Sequence, residues 1–170
     1  MSESIQSATF SVLVENHFGV LARVAGLFSG RGYNIDSLTV SPTHDPNFSR
    51  MTIVTHGDSA ILEQIEKQLT KLVDVVKVTN LHGDGYVARE LMLIKVQAVG
   101  HERNEILQVA DVFKANIVNI TTDSMVIQVT GKQEKLDAFV ELMKTFGIVE
   151  LARTGQVALT RNSGTTEEWI

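Results

Sequence analysis

The sequence predicts an α+β fold made of two ferredoxin-like βαββαβ domains in tandem. Three observations lead to this prediction. Strand-like and helix-like hydrophobic periods alternate along the chain, the order strand, helix, strand, strand, helix, strand occurs twice, and a chain of 170 residues has room for two small domains. We place the domains at residues 8–82 and 87–160, followed by a polar tail at 161–170.

The first repeat opens with the alternating, β-rich run TFSVLVE at 9–15, which predicts a strand. Apolar residues at helical spacing then predict a helix from Gly19 to about Arg31, and Gly30 and Gly32 are placed to end it. The remaining predicted elements are strands at 34–41 and 49–56, a helix with its apolar face between 61 and 72, and a strand at 73–80.

The second repeat follows the polar turn HGDG at 82–85 and has the same order of elements. Its predicted elements are a strand at 89–98, a helix at 102–115, strands at 116–121 and 125–130, a helix at 132–145, and one or two strands within 147–159.

A ferredoxin-like domain packs both helices on one face of its sheet, so the other face needs a separate cover. We expect that second face to be rich in Val, Ile and Leu, and such a face does not remain in contact with water. The sequence therefore predicts a homo-oligomer, most simply a homodimer. Trp169 in the tail is either a partner contact or, as we favour, an incidental residue.

Composition excludes several classes of function. A net charge of -5 and an aromatic content of 6% argue against a partner nucleic acid, which requires a basic face or base-stacking aromatics. The absence of cysteine excludes disulfides and thiolate chemistry. With no apolar run of about 20 residues and no signal-peptide pattern at the start, we expect no membrane association and a cytoplasmic protein.

Catalytic and cofactor motifs are missing as well. The five histidines form no HxH or HxxxH pair, GRGYNI at 30–35 has Ile35 where a dinucleotide fingerprint needs its third glycine, and neither GxxxxGK[ST] nor GxSxG occurs. The sequence thus predicts no catalytic residue, no bound metal and no cofactor in this chain.

The loop from Asn16 to Gly19 is the strongest candidate site. A helix start exposes backbone N–H groups and the positive end of the helix dipole, which suit a small carboxylate. Gly19 would let a ligand approach the backbone, and the Asn16 amide offers both a donor and an acceptor. The alternative from these residues alone is that Asn16 caps the helix and Gly19 only turns the chain.

Four segments in order resemble one known family. They are ENHFGVLARVAGLFSGRGYNIDSLTV, SRMTIVTHGD, LEQIEKQLTKLVDVVKV and VARELMLIKV. The first resembles the amino-acid-binding motif of ACT domains, and the series resembles the small regulatory subunit of acetolactate synthase (acetohydroxyacid synthase). The resemblance extends from about residue 8 to residue 160 and implies an N-terminal ACT domain followed by a second ferredoxin-like domain.

The resemblance also implies where an effector binds. In that family two ACT domains pair edge to edge in a dimer, and the effector, typically valine, lies between them. The backbone of one chain's loop and the Asn16 amide would contact it, and the partner chain would contribute the start of its second strand. The implied effector-binding residues are Asn16, His17, Phe18, Gly19, Val20, Leu21, Asn34 and Ile35. Val20 and Leu21 would form the apolar wall, and no side-chain role is implied for His17 or Phe18.

The implied function is that of a non-catalytic regulatory subunit in branched-chain amino-acid biosynthesis. It would bind and activate the acetolactate synthase catalytic subunit and confer feedback inhibition by L-valine, with leucine and isoleucine left open as effectors. Thiamine diphosphate, FAD and magnesium would belong to the catalytic subunit, a thiamine-diphosphate-dependent transferase. The alternatives are a free-standing ACT-domain sensor for another enzyme or regulator, and a small ferredoxin-like enzyme, for which no acid, base or anion-binding arginine is found.

Overall fold

The computed structural model describes residues 5–161, so the predicted tail beyond Arg161, with Trp169, lies outside the described residues. The predicted fold is confirmed: the order βαββαβ occurs twice, and each repeat forms its own antiparallel sheet. Within the described residues, no helix combines the length and the apolar character needed to cross a membrane.

The first repeat forms a four-stranded sheet in the order β2-β3-β1-β4. Its elements are β1 (Gln6–Glu15), α1 (Val20–Gly30), β2 (Ser37–Pro42), β3 (Phe48–Gly57), α2 (Ser59–Thr70) and β4 (Val75–Leu81). Both helices bury their apolar stripes against the same sheet face, because Phe28 of α1 and Ile65 of α2 belong to one core with Phe10 of β1 and Ile53 of β3. Burying an aromatic or aliphatic side chain of this size contributes roughly 1.5–3 kcal/mol.

The second repeat forms a sheet whose main order, β6-β7-β5-β8, corresponds to that of the first. Its elements are β5 (Tyr86–Gln97), α3 (Glu102–Val112), β6 (Asn116–Ile120), β7 (Ser124–Gly131), α4 (Gln133–Met143), a short 3-10 turn (Lys144–Phe146) and β8 (Ile148–Arg153). Ile94, Ile106, Ile127 and Phe139 are fully buried in its separate core.

The division of the chain differs from the predicted domains at the C-terminal end. Judged by contacts within the chain, Ala88–Gly155 form one unit. The other unit contains the residues before Ala88 and also the last strand, β9 (Val157–Thr160). The Ala158 N–H, which is buried, donates to Thr52 Oγ1 on β3 at 3.3 Å. β9 also pairs with β5 of the second repeat, so these contacts do not assign residues 156–160 to one domain alone.

The second strand begins later than predicted, at Ser37 rather than at residue 34. Asn34 Nδ2 donates to Asp36 Oδ1 at 2.6 Å, and the Thr55 hydroxyl donates to the Asn34 carbonyl at 2.5 Å. These two bonds, one of them to a distant strand, fix an irregular segment before β2. Asn34 and Ile35 therefore lie in the loop between α1 and β2, not at the start of a strand.

The sheet face away from the helices is mixed in both units rather than uniformly apolar. In the first unit Thr9, Ser11 and Thr52 share this face with Leu13 and Val54, and all five are buried. In the second unit the face carries Leu91, Leu93 and Val126 together with Lys95, Gln128, Thr130 and Glu150. Other apolar residues of the strands alternate onto the helix-covered face, so this face by itself does not require a second copy of the chain.

Candidate effector-binding site

The loop between β1 and α1 leaves the start of the helix open. Gly19 occupies the N-cap position with φ +85°, in the left-handed region that favours glycine, and provides no side-chain cap. The first intrahelical bond runs from the Arg23 N–H to the Gly19 carbonyl at 3.0 Å. Backbone N–H groups of the first turn therefore remain without an intrahelical partner. In the same unit α2 differs, because Asp58 Oδ1 accepts from the Ile61 N–H at 2.8 Å.

Asn16 does not cap the helix, so that alternative from the sequence is wrong. Its Nδ2 donates to the Pro46 carbonyl at 2.9 Å, and its backbone N–H donates to the Asn47 carbonyl at 2.7 Å. Both bonds attach the loop to the turn between β2 and β3. They fix the exposed Asn16 side chain at the rim of the open helix start, and within the described chain its Oδ1 accepts no hydrogen bond.

The other predicted loop and wall residues differ in exposure. Phe18 is fully exposed and His17 is exposed, whereas Val20 is buried in the core of the first unit. The Val20 side chain thus stabilises the start of α1 by packing into the core of the first unit. Of the two residues predicted to form an apolar wall, only Leu21 presents its side chain at the surface, with 44% exposed.

Asn34 and Ile35 stand apart from this loop within one chain. Asn34 is exposed and Ile35 is partly buried against the core. No hydrogen bond joins either residue to the segment from Asn16 to Gly19 in the described chain. The structure thus brings together the predicted residues of one loop but does not join the two loops.

Asp74 is a residue of this region that sequence reasoning did not assign to the site. Its side chain is only 6% exposed, its Oδ2 accepts from Arg23 Nε at 2.5 Å, and its Oδ1 lies 2.9 Å from His17 Nε2. The backbone carbonyl of Asp74 accepts from the Glu15 N–H at 2.9 Å. Asp74 therefore joins the end of β1, the loop and α1.

The Asp74 carboxylate is stabilised in its charged form. The hydrogen bond from Arg23 is the main cause that lowers the pKa of Asp74 below its ordinary value, and the charges of Arg23 and His17 act in the same direction. Burial acts in the opposite direction and is outweighed. The available signal in the sequence was a single aspartate between two valines at the start of the strand predicted at 73–80, which indicates a buried acid but not its partners.

A βαββαβ unit with an uncapped, glycine-led helix after its first strand has the architecture of an ACT domain, here followed by a second ferredoxin-like unit. Residues 10–77 match a family model described as the small subunit-like ACT domain of AHAS, and residues 89–162 match one described as the small subunit of acetolactate synthase. The chain belongs to the family of acetolactate synthase small subunits.

Individual relatives are similar to this chain over nearly its whole length. The chain is 51% identical to a probable acetolactate synthase small subunit of Methanothermobacter thermautotrophicus, over 91% of this chain and 93% of that protein. It is 52% identical to the acetolactate synthase isozyme 3 small subunit of Salmonella typhimurium, over 89% and 93%. The crystal structure of the acetolactate synthase small subunit of Thermotoga maritima superposes with a TM-score of 0.86 at 40% identity, covering 94% of this chain and 99% of that one.

Proposed function

We propose that this chain is a regulatory subunit that binds the catalytic subunit of acetolactate synthase, raises its activity and makes it sensitive to feedback inhibition by L-valine. The observation that carries the proposal is the agreement with named small subunits over nine-tenths of the chain. Thiamine diphosphate, FAD and magnesium belong, on this proposal, to the catalytic subunit, and this chain contributes no catalytic group.

The open start of α1 is the proposed binding point for the carboxylate of valine. The unpaired N–H groups of the first helical turn and the helix dipole favour an anion there, and Gly19 offers no side chain to block it. The free Oδ1 of Asn16 at the rim would accept from the ammonium group. For a ligand of this size we expect affinity in the micromolar to millimolar range, about -4 to -8 kcal/mol.

The second half of the site is proposed to come from another copy of the chain. Among residues 5–161, β2 pairs with β3 alone and forms an edge of the first sheet, and a free strand edge can pair with the same edge of a second copy. The fully exposed Phe18 is the kind of side chain that such an interface would cover. Asn34 and Ile35 shortly precede β2, so pairing through β2 would carry them into the interface. A homodimer through β2 is thus the form in which we expect valine to bind.

Calorimetric titration of the purified chain with L-valine tests the effector, with L-leucine, L-isoleucine and D-valine for comparison. We expect saturable binding of L-valine and a dimer whose dissociation is suppressed by valine, since a ligand held by two chains stabilises the dimer. Absence of binding by any of them, both alone and with the catalytic subunit present, would contradict the effector assignment.

Reconstitution with the catalytic subunit tests the regulatory role separately. Addition of the chain should raise acetolactate formation and introduce inhibition by valine, through a coupling free energy of about 1–3 kcal/mol between the two sites. A chain that binds valine but neither captures nor activates the catalytic subunit would instead be a free-standing ACT-domain sensor. Turnover by the isolated chain would contradict its assignment as non-catalytic.

A further inference from the structure

Three potential metal ligands meet beside the loop that precedes α1. Glu15, His17 and Asp74 each offer one ligand atom, and these atoms lie within 4.8 Å of one another. His17 Nε2 is 2.9 Å from Asp74 Oδ1 and 3.2 Å from Glu15 Oε2. The sequence alone predicts no metal site, because most of the first unit separates Asp74 from the other two residues.

Both ring nitrogens of His17 face only hydrogen-bond acceptors. Nε2 faces the carboxylates of Glu15 and Asp74, and Nδ1 lies 3.2 Å from the Phe18 carbonyl oxygen. A neutral imidazole has one donor and one acceptor nitrogen. A cation bound between Nε2 and the two carboxylates would leave Nδ1–H to donate to the Phe18 carbonyl.

The surrounding contacts are those expected around a metal site. A histidine that binds a metal usually donates its second ring N–H to a carbonyl or carboxylate, and a ligating carboxylate is itself hydrogen-bonded. Here the Phe18 carbonyl faces Nδ1, and Arg23 Nε donates to the second oxygen of Asp74 at 2.5 Å. Asp74 is thereby fixed by burial and by Arg23, whereas Glu15 and His17 are about half exposed and free to adjust.

We propose that Glu15, His17 and Asp74 bind a divalent first-row transition cation, such as Zn²⁺, through one imidazole nitrogen and two carboxylate oxygens. Metal–ligand bonds of about 2.0–2.2 Å place neighbouring ligand atoms roughly 3–3.4 Å apart, close to the distances around His17 Nε2. The two carboxylates face the cation, and Arg23 offsets part of the Asp74 charge from the other carboxylate oxygen. An imidazole in the set favours Zn²⁺, Co²⁺ or Ni²⁺ over Mg²⁺ and Ca²⁺. The exposed side of the cluster leaves room for water as a further ligand.

His56 provides an internal contrast. Its Nδ1 lies 2.8 Å and 3.0 Å from the two oxygens of Asp36, so one carboxylate faces it and His56 is not part of a three-ligand group among the described residues. His17 and His56 are both about half exposed in their side chains. A variant at His56 therefore removes a comparable surface histidine without touching the proposed site.

The test is calorimetric titration of the full-length, tag-free and chelator-treated chain with Zn²⁺. We expect saturable binding of about one ion per chain with a dissociation constant in the micromolar range, weakened about tenfold or more by His17→Gln. His56→Gln should leave this binding unchanged. His17→Gln is preferred to a change at Asp74, because Asp74 also holds Arg23 and the end of β1.

The position of the bound ion is determined separately from its affinity, by NMR spectra recorded with Co²⁺. Paramagnetic shifts and broadening should centre on residues 15–18 and 74 and spare His56. Equal loss of Zn²⁺ binding in the two histidine variants, paramagnetic effects elsewhere, or no saturable binding would each overturn the proposal. The readouts do not involve valine, so they stand or fall separately from the proposed effector site.

Discussion

The two units build the junction between their first strand and first helix on the same backbone framework. In the first unit the Glu15 N–H donates to the Asp74 carbonyl at 2.9 Å, and in the second the Gln97 N–H donates to the Gly147 carbonyl at 2.9 Å. A left-handed glycine follows the strand in each, Gly19 in the first unit and Gly100 in the second. The two frameworks are similar but not identical, because Gly19 is itself the N-cap of α1, whereas Gly100 precedes the N-cap of α3, His101.

Side chains make the difference, because the second junction is filled by an arginine of its own chain. Arg103 Nη1 donates to the carbonyls of Ala98, Thr121 and Thr122 at 2.8–3.2 Å. In the first unit the Asn16 amide makes one such bond, to the Pro46 carbonyl. Neither α1 nor α3 has a side-chain cap at its start. On the proposed function, the first junction takes a ligand, whereas the second is held by Arg103.

The two units also place their buried carboxylates differently. In the first, Asp74 lies at the junction, where the second unit has Gly147. In the second, Glu90 is buried on β5 and accepts two hydrogen bonds from Arg153 of β8, at 2.8 and 2.9 Å. One carboxylate thus organises a loop beside a candidate site, while the other joins two strands within a sheet.

The largest effect on stability is expected from Arg153→Met in the second unit. This change leaves the buried Glu90 carboxylate without its partner, and breaking a buried pair in this way costs about 3 kcal/mol in free energy of unfolding. Urea denaturation measures the loss. Asp137→Asn is the control, since Asp137 contacts the same arginine from an exposed position and should cost about 0–1 kcal/mol. Equal costs for the two variants would contradict a structural role for Glu90.

Gly19→Asp should produce the next largest effect, a loss of valine affinity of about 100-fold, equivalent to about 2.7 kcal/mol. The new carboxylate would occupy the place proposed for that of valine, and its Cβ would lie 3.3 Å from Arg23 Nη1. Calorimetry measures the affinity.

Gly100→Asp is the matched control for that change. It likewise places a non-glycine residue at a positive φ, +58° at Gly100 compared with +85° at Gly19, at the corresponding junction of the second unit. Valine affinity should remain unchanged. If both variants lose affinity alike, the loss reflects general destabilisation and the site is not at the first junction.

Most of the fold could be predicted from the sequence because hydrophobic periodicity is a local property. The helix at 19–31 and the strand at 49–56 were placed to within about two residues, since each is bounded by glycine or by polar turns. The later start of β2 was missed because it depends on the bond from Thr55 to Asn34, 21 residues apart. Likewise, the contact of β9 with Thr52 was missed because 106 positions separate Ala158 from Thr52 in the chain.

The candidate site was predicted only in part. The loop from Asn16 to Gly19 was found because a polar segment with glycine between a strand and a helix is a local signal. The contacts of Asp74 with Arg23 and His17 join residues 51 and 57 positions apart in the chain, which no local pattern reveals. Burial of Val20 was missed because the sequence alone does not show which side of the first turn of α1 packs against the sheet.

Arg103→Ala tests whether filling the second junction contributes stability. Three carbonyl groups lose their shared donor, and we expect a loss of about 1–2 kcal/mol in free energy of unfolding. Hydrogen exchange should increase around Ala98 while valine binding persists. Arg89→Ala is the control, because exposed Arg89 donates only to the carbonyl of its neighbour Ala88 and should change stability little. A loss of valine binding in Arg103→Ala would show that the two junctions are not independent.

Asn16→Ala is expected to have the smallest effect, weakening valine about tenfold, or 1.4 kcal/mol. The variant loses the amide proposed to contact the ammonium group and the bond that holds the loop to the Pro46 carbonyl. Asn16→Asp separates these two contributions: it cannot donate to Pro46 but retains an oxygen for the ligand. If Asn16→Asp binds valine better than Asn16→Ala, the side-chain oxygen contacts the ligand. If both are equally weak, Asn16 acts by positioning the loop, and the open helix start would bind valine through its backbone alone.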